Sequence, residues 1–173
     1  MANNFDLRGL QNVIRRVAET PKKAEQAMQR SRSTVARRVK PFARRDIQAE
    51  YNLRAARIDQ GLAVSQTQDT IVLTGAKRGV GEIEFAGRHS RRQKGASSQV
   101  RKDKGRSIDP GSFIATLHGG NRQMVIRDTK KRLPISVLYG PSIAQMLRRP
   151  GRAERIADFA QTVLSAEIAR LLR

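Results

Sequence analysis

The sequence predicts an α+β fold with helices at both ends and a small, mostly antiparallel sheet between them. Apolar residues recur at three and four residues from Leu7 to about Tyr51 and again beyond Gly151, the spacing of one helix face. Between these regions run short alternating or β-branched stretches set apart by glycine and polar residues, which read as strands. Gly119-Gly120 separates two of them and supplies the positive φ angles that a tight hairpin turn needs. The predicted organisation is a single unit over residues 1–173: a basic helical segment (1–61), a sheet interrupted by a basic loop at 87–111 (62–139), and C-terminal helices (140–173).

Taken in order, Leu7, Leu10, Val13, Ile14 and Val17 predict an amphipathic helix with Asn4 or Asp6 as its N-cap. Thr20 as N-cap and Pro21 at the first helical position start a second helix to about Val39, with a weak stripe of Ala24, Ala27, Met28, Val35 and Val39. Pro41 lacks an amide donor and clashes with the preceding turn, so a kink or an end is expected there. Phe42, Ile47 and Tyr51 allow another helical stretch, and Leu53 to Gln60 a further turn or two, closed by Gly61 in a left-handed cap. Strands are expected at Leu62–Ser65, Thr70–Thr74, Glu82–Ala86, Phe113–His118, Gln123–Arg127 and Pro134–Leu138. Gly140 suits a tight strand-to-helix junction, Pro141 a first helical position and Ser142 a cap; a longer helix follows Pro150-Gly151 and carries Ile156, Phe159, Ala160, Val163, Ile168 and Leu171.

Charge dominates the composition. Lys and Arg number 35 against 15 Asp and Glu, a formal net charge of +20 in 173 residues. Such a field attracts nucleic acid, acidic protein surfaces or anionic membranes. With 38% apolar and 4% aromatic residues, the core must be thin and aliphatic. The absence of Cys excludes disulfides, thiolate nucleophiles and Cys-ligated zinc, and suits a reducing compartment. No apolar run approaches the ~20 residues of a membrane span, and the start Met1-Ala2-Asn3-Asn4-Phe5-Asp6 lacks the order of a secretory signal.

The basic residues fall into two groups. Arg37, Arg38, Arg44 and Arg45 belong to a run from Arg15 to Arg45 that only Glu19 and Glu25 oppose; adjacent pairs point about 100° apart on a helix, which makes a broad basic surface. Arg88, Arg91, Arg92, Lys94, Arg101, Lys102, Lys104 and Arg106 lie in the segment 87–111, whose low apolar content predicts a mobile loop. Aromatic residues for base stacking are scarce, so contact with nucleic acid is expected to run through phosphates.

The search for catalysis returns little. His89 and His118 have no third ligand at metal spacing. Gly75-Ala76-Lys77-Arg78-Gly79-Val80-Gly81 lacks the Gly-Lys-Ser/Thr ending of a phosphate loop and precedes an expected strand. Glu82 and Glu84 would share one face of that strand, an ordinary solvated arrangement. Neither a cofactor nor a metal is expected, and the chain does not read as an enzyme.

The stretch Gly111-Ser112-Phe113-Ile114, then Leu117, Gly119 and the hairpin to Arg127, then Arg132-Leu133-Pro134-Ile135-Ser136-Val137-Leu138-Tyr139-Gly140-Pro141-Ser142 resembles the C-terminal half of the tailed-phage minor tail protein Z family, the tail-completion proteins. Its specific part is Leu133, Pro134 and Ile135 followed by Gly140, Pro141 and Ser142; the basic helical N-terminus is similar too. The resemblance implies a structural virion protein at the head-proximal end of a long tail, assembled in the host cytoplasm. It implies a ring that contacts itself and tail terminator or tail tube proteins, with the phage DNA end as a further polyanionic partner. No membrane and no small-molecule substrate is implied. Two other classes fit the residues: a non-specific nucleic-acid-binding protein of ribosomal or nucleoid type, and a small hydrolase built on Glu82 or Glu84.

Overall fold

Pro21 to Glu50 form one helix of 30 residues, α1, in the computed structural model, which describes residues 21–67, 70–90 and 95–172. The helix expected at Leu7–Val17 lies outside the described residues. Pro41 stands inside α1 and does not end it, contrary to the sequence expectation. Proline leaves one carbonyl of the preceding turn without its helical donor, but Val39, Ala43 and Ile47 on either side are buried, and their packing holds the turn. The buried stripe runs Ala27, Ser31, Val35, Val39, Ala43, Ile47 in steps of four. Four residues overshoot a 3.6-residue turn by about 40°, so the stripe winds around the helix. Its first half therefore faces a different neighbour from its second.

A short helix, α2 (Ala55–Gly61), follows. Gly61 does not form the expected left-handed cap; the glycines with positive φ are Gly111, Gly119, Gly120 and Gly151. Its hydrogen is needed for room, because a Cβ there would lie 2.6 Å from Ile143 Cγ1.

The strands are short and form four antiparallel sheets among the described residues. β1 (Leu62–Gln66) pairs with β2 (Ile71–Gly75), Leu62 opposite Gly75. β3 (Gly79–Gly81) pairs with the distant β10 (Tyr139–Ser142). The expected strand Glu82–Ala86 is a single 3₁₀ turn, Glu82–Glu84. Phe85 explains the difference: its ring is fully buried, and the chain turns through Ala86 at φ 54° to place it there.

The segment expected to be a structureless loop instead holds a three-stranded sheet, β4 (Arg88–Ser90), β5 (Gly95–Ser98) and β6 (Ser107–Pro110), in that order. All four residues of β5 are buried. They are small, so the packing comes from close approach of backbone and not from large apolar side chains, which is why hydropathy gave no strand signal. Ser112 Oγ accepts from Ala96 N at 3.0 Å and fastens the next turn to β5.

The glycine hairpin forms as predicted. β7 (Phe113–Thr116) pairs with β8 (Arg122–Arg127), Thr116 opposite Arg122, and Gly119 and Gly120 take φ 88° and 79°. β9 (Ile135–Val137) adds to β8. From β10 the chain enters α3 (Ile143–Leu147), where Ser142 Oγ accepts from Gln145 N at 3.2 Å and Gln145 Oε1 accepts from Ser142 N at 2.8 Å. Ser142 thus caps as expected, whereas Pro141 lies in β10 and not at the first helical position. Gly140 is held to glycine by the ring of Phe85, whose Cε2 would be 2.7 Å from an added Cβ.

Gly151 at φ 77° starts α4 (Arg152–Leu171), which packs on α1. Val163 meets Val35 and Val39, and Phe159 stacks on Phe42 with centroids 4.1 Å apart. The second half of the α1 stripe, Ala43 and Ile47, enters the other cluster with Ile58, Val80, Phe85, Ile143 and Met146.

Candidate polyanion interface

On α1, Lys23, Arg30, Arg37 and Arg44 stand seven residues apart, a spacing that drifts only ~20° per step on a straight helix. Lys23, Arg30 and Arg37 are exposed. Arg38 lies 3.9 Å from Glu167 of α4, and Arg45 is exposed with its Nε donating to Pro41 O at 3.3 Å. Arg44 differs, since its Nη1 is 2.8 Å from Asp59 Oδ2 and ties α1 to α2.

The second basic group divides in the same way. Asn52 N donates to Val100 O at 3.0 Å and Lys102 N to Glu50 O at 2.9 Å, which brings the segment after β5 to the C-terminal end of α1. Lys102 Nζ donates to Gln48 O at 2.5 Å, a cation on the unsatisfied carbonyls of a helix end. Arg101 pairs with Asp103. Arg106 turns inward, donating to Ala86 O at 2.6 Å and Ser97 O at 2.9 Å. Arg88 and Lys104 remain exposed, and Arg91, Arg92 and Lys94 lie outside the described residues. The structure therefore joins Arg101 and Lys102 to the α1 group near Arg44 and Arg45, while four of the predicted contact residues (Arg44, Arg101, Lys102, Arg106) hold internal partners.

An open cleft of about 660 Å³ is lined by Gly87, Arg88, His89, Phe113, Ile114, Thr116 and Arg122. Arg88 and Arg122 make no ion pair among the described residues, and no carboxylate lines the cleft. Arg127, on the same strand as Arg122, lies over the Phe113 ring at 4.5 Å. Arg122 and Arg127 escaped sequence reasoning because they flank a hairpin and not a charge run.

A second feature was also missed. Arg152 is fully buried; its Nε is 2.5 Å from Asp46 Oδ2, its Nη1 donates to Met146 O at 2.5 Å and its Nη2 is 3.2 Å from Glu50 Oε1. Arg155 reaches Asp46 at 2.9 Å and Arg149 reaches Glu50 at 3.0 Å. Burial alone would raise the Asp46 carboxyl, but hydrogen bonds from Arg155 and Arg152 outweigh it and hold it below the ordinary range. The signal was present as acids at i and i+4 on α1 and bases at i, i+3 and i+6 near Gly151, complementary single-face spacings. These pairs, with Arg44–Asp59 and Arg101–Asp103, occupy carboxylates inside the fold and leave the exposed cations uncompensated.

The candidate catalytic groups are dispersed. Glu82 is half-buried, accepts from Ser98 Oγ at 3.2 Å, and has its carboxyl pushed up by burial and then by the charge of Asp109. His89 lies in the cleft and His118 in the hairpin turn. Among the described residues no group of three His, Cys, Asp or Glu could hold a metal ion, and no helix is long and apolar enough to cross a membrane.

The residues that carried the sequence resemblance form one continuous path. Leu133 is exposed, Pro134 precedes β9, Ile135 begins it, and Gly140, Pro141 and Ser142 lie in β10 beneath the α3 cap. No curated protein and no solved structure matches the chain. A family model does: that described as Prophage minor tail protein Z (GPZ) matches residues 7–173, so the chain belongs to this family and is a structural protein of a phage tail.

Proposed function

We propose that this protein completes the head-proximal end of the tail of a long-tailed phage or prophage, where tail and filled head are joined. The observation that carries this reading is the family match over residues 7–173. The role is structural, with no catalytic residue, and is exercised through contacts with further copies of the chain and with tail terminator or tail tube proteins. The copies close into a ring, since a closed ring buries the same two patches on every subunit and leaves no open end. Exposed Arg37, Arg45, Arg88 and Lys104, with Arg91, Arg92 and Lys94, supply counter-charge to DNA phosphates near the tail axis. The carboxylates engaged within the fold support this, because the positive field of the exposed side chains is left for a polyanion.

The test is a reconstruction of purified tails and of the intact neck. A closed ring of several copies at the head-proximal end is expected. A single off-axis copy, or a position at the distal tip, would overturn the proposal.

A further inference from the structure

We propose that the cleft between β4 and β7 is a strand-insertion slot for an extended, carboxylate-bearing segment of another protein. The inference concerns a peptide partner and does not depend on the ring or on DNA contact.

The topology supplies the first argument. β4 is the outer strand of the sheet β4-β5-β6, and β7 is the outer strand of the sheet β7-β8-β9. Each pairs on one side only, with β5 and β8 respectively. Two open strand edges therefore border the same cleft.

The lining supplies the second. Successive side chains of a strand point to opposite faces, so a groove lying on one face of a sheet collects alternate residues. This cleft collects consecutive ones, Arg88 with His89 and Phe113 with Ile114. What it presents is the strand edge, with its free amide and carbonyl groups, and an edge is satisfied by an added strand.

Charge selects the occupant. Arg88 and Arg122 stand at the cleft with no acidic side chain among its lining residues. A carboxylate at alternate positions of the inserted strand would meet them, while Ile114 and Phe113 give its intervening side chains an apolar contact. Nucleic acid is the weaker candidate, because Arg127 already covers a face of the Phe113 ring and phosphates make no use of a strand edge.

The experiment titrates the whole protein with a fluorescein-labelled peptide alternating Glu and Thr, followed by anisotropy and by amide hydrogen exchange. Binding should slow exchange in β4 and β7. Arg88→Ala with Arg122→Ala should weaken affinity by at least about tenfold, as expected for losing two charge-assisted hydrogen bonds. Arg88→Lys with Arg122→Lys should recover part of it, and Lys130→Ala with Lys131→Ala, an equal loss of exposed charge elsewhere, should change it little. Three results would overturn the proposal. One is peptide binding without protection of β4 and β7, which is charge attraction alone. Another is an oligonucleotide of equal charge binding at the same arginines more tightly than the peptide. The last is a double Ala variant that self-associates with peptide affinity unchanged, which would make the arginines guards against edge-to-edge aggregation.

Discussion

Glu82 shows how one residue changes meaning between sequence and fold. As a strand residue beside Glu84 it would be a solvated carboxylate; in the 3₁₀ turn it is half-buried against Ser98 and near Asp109. Its carboxyl is raised, by burial first, so the folded state holds the proton more tightly than the unfolded chain. The associated stability is fully present below the unfolded value of 4.5 and is lost as pH rises through the higher folded value. Glu82→Gln keeps the neutral shape, so this variant should lose that limb and match or exceed the parent in stability at pH 7. Urea midpoints from pH 4 to 8 measure it. A drop at pH 7 with an unchanged slope would mean that ionised Glu82 is needed. Combined with Glu84→Gln, the change should leave tail assembly intact, since neither carboxylate is assigned a chemical step.

At the scale of elements, the junction of α1 with α3 and α4 is held by charge as well as by apolar contact. Arg152 is buried between Asp46, Glu50 and the Met146 carbonyl, and its guanidinium lies 5.8 Å from the Tyr51 ring centroid. Removing one partner of such a group leaves uncompensated buried charge, so Arg152→Ala should cost about 3–5 kcal/mol of stability. Arg44→Ala breaks a pair whose side chains are about a third exposed and should cost under about 1 kcal/mol. Denaturant unfolding of the two variants checks the contrast, and similar losses would mean that the buried network is mispositioned. Sequence periodicity found α1 and α4, but Pro41 suggested a break that the flanking burial of Val39, Ala43 and Ile47 prevents. The β4-β5-β6 sheet was hidden for the opposite reason. Its stability rests on close approach of Gly95, Ala96, Ser97 and Ser98, residues with little hydropathy to register.

For the whole molecule, the net charge of +20 is the property most open to measurement. Four of the predicted contacts hold internal partners, so the cations left for a polyanion are fewer than the sequence count. Replacing Arg37, Arg91, Arg92 and Lys94 by Gln should remove about four phosphate contacts. If all four meet DNA, they account for on the order of a hundredfold loss of affinity between 50 and 200 mM salt, and the variant should lose that share of the salt slope. Little sequence preference is expected in either protein. An unaltered slope would show these charges to be a solvated surface. Neutralising Lys102 or Arg106 instead should also disturb the fold, since they bind the end of α1 and the strand β5.

What the sequence determined by itself was local or global in kind. The helices came from apolar spacing, the hairpin from the positive φ of Gly119-Gly120, the α3 cap from Ser142, and the basic character from a simple count. Each depends on a few neighbouring residues or on none in particular. Tertiary structure alone decided the rest: that Glu82 turns away from a strand, that Gly61 and Gly140 are glycines for room, that Arg152 is buried, and that two strand edges border one basic cleft. Those outcomes rest on contacts between residues far apart in the chain, such as Asp46 with Arg152 and Phe85 with Gly140. Spacing along one segment carries no information about which distant segment will fill the space beside it.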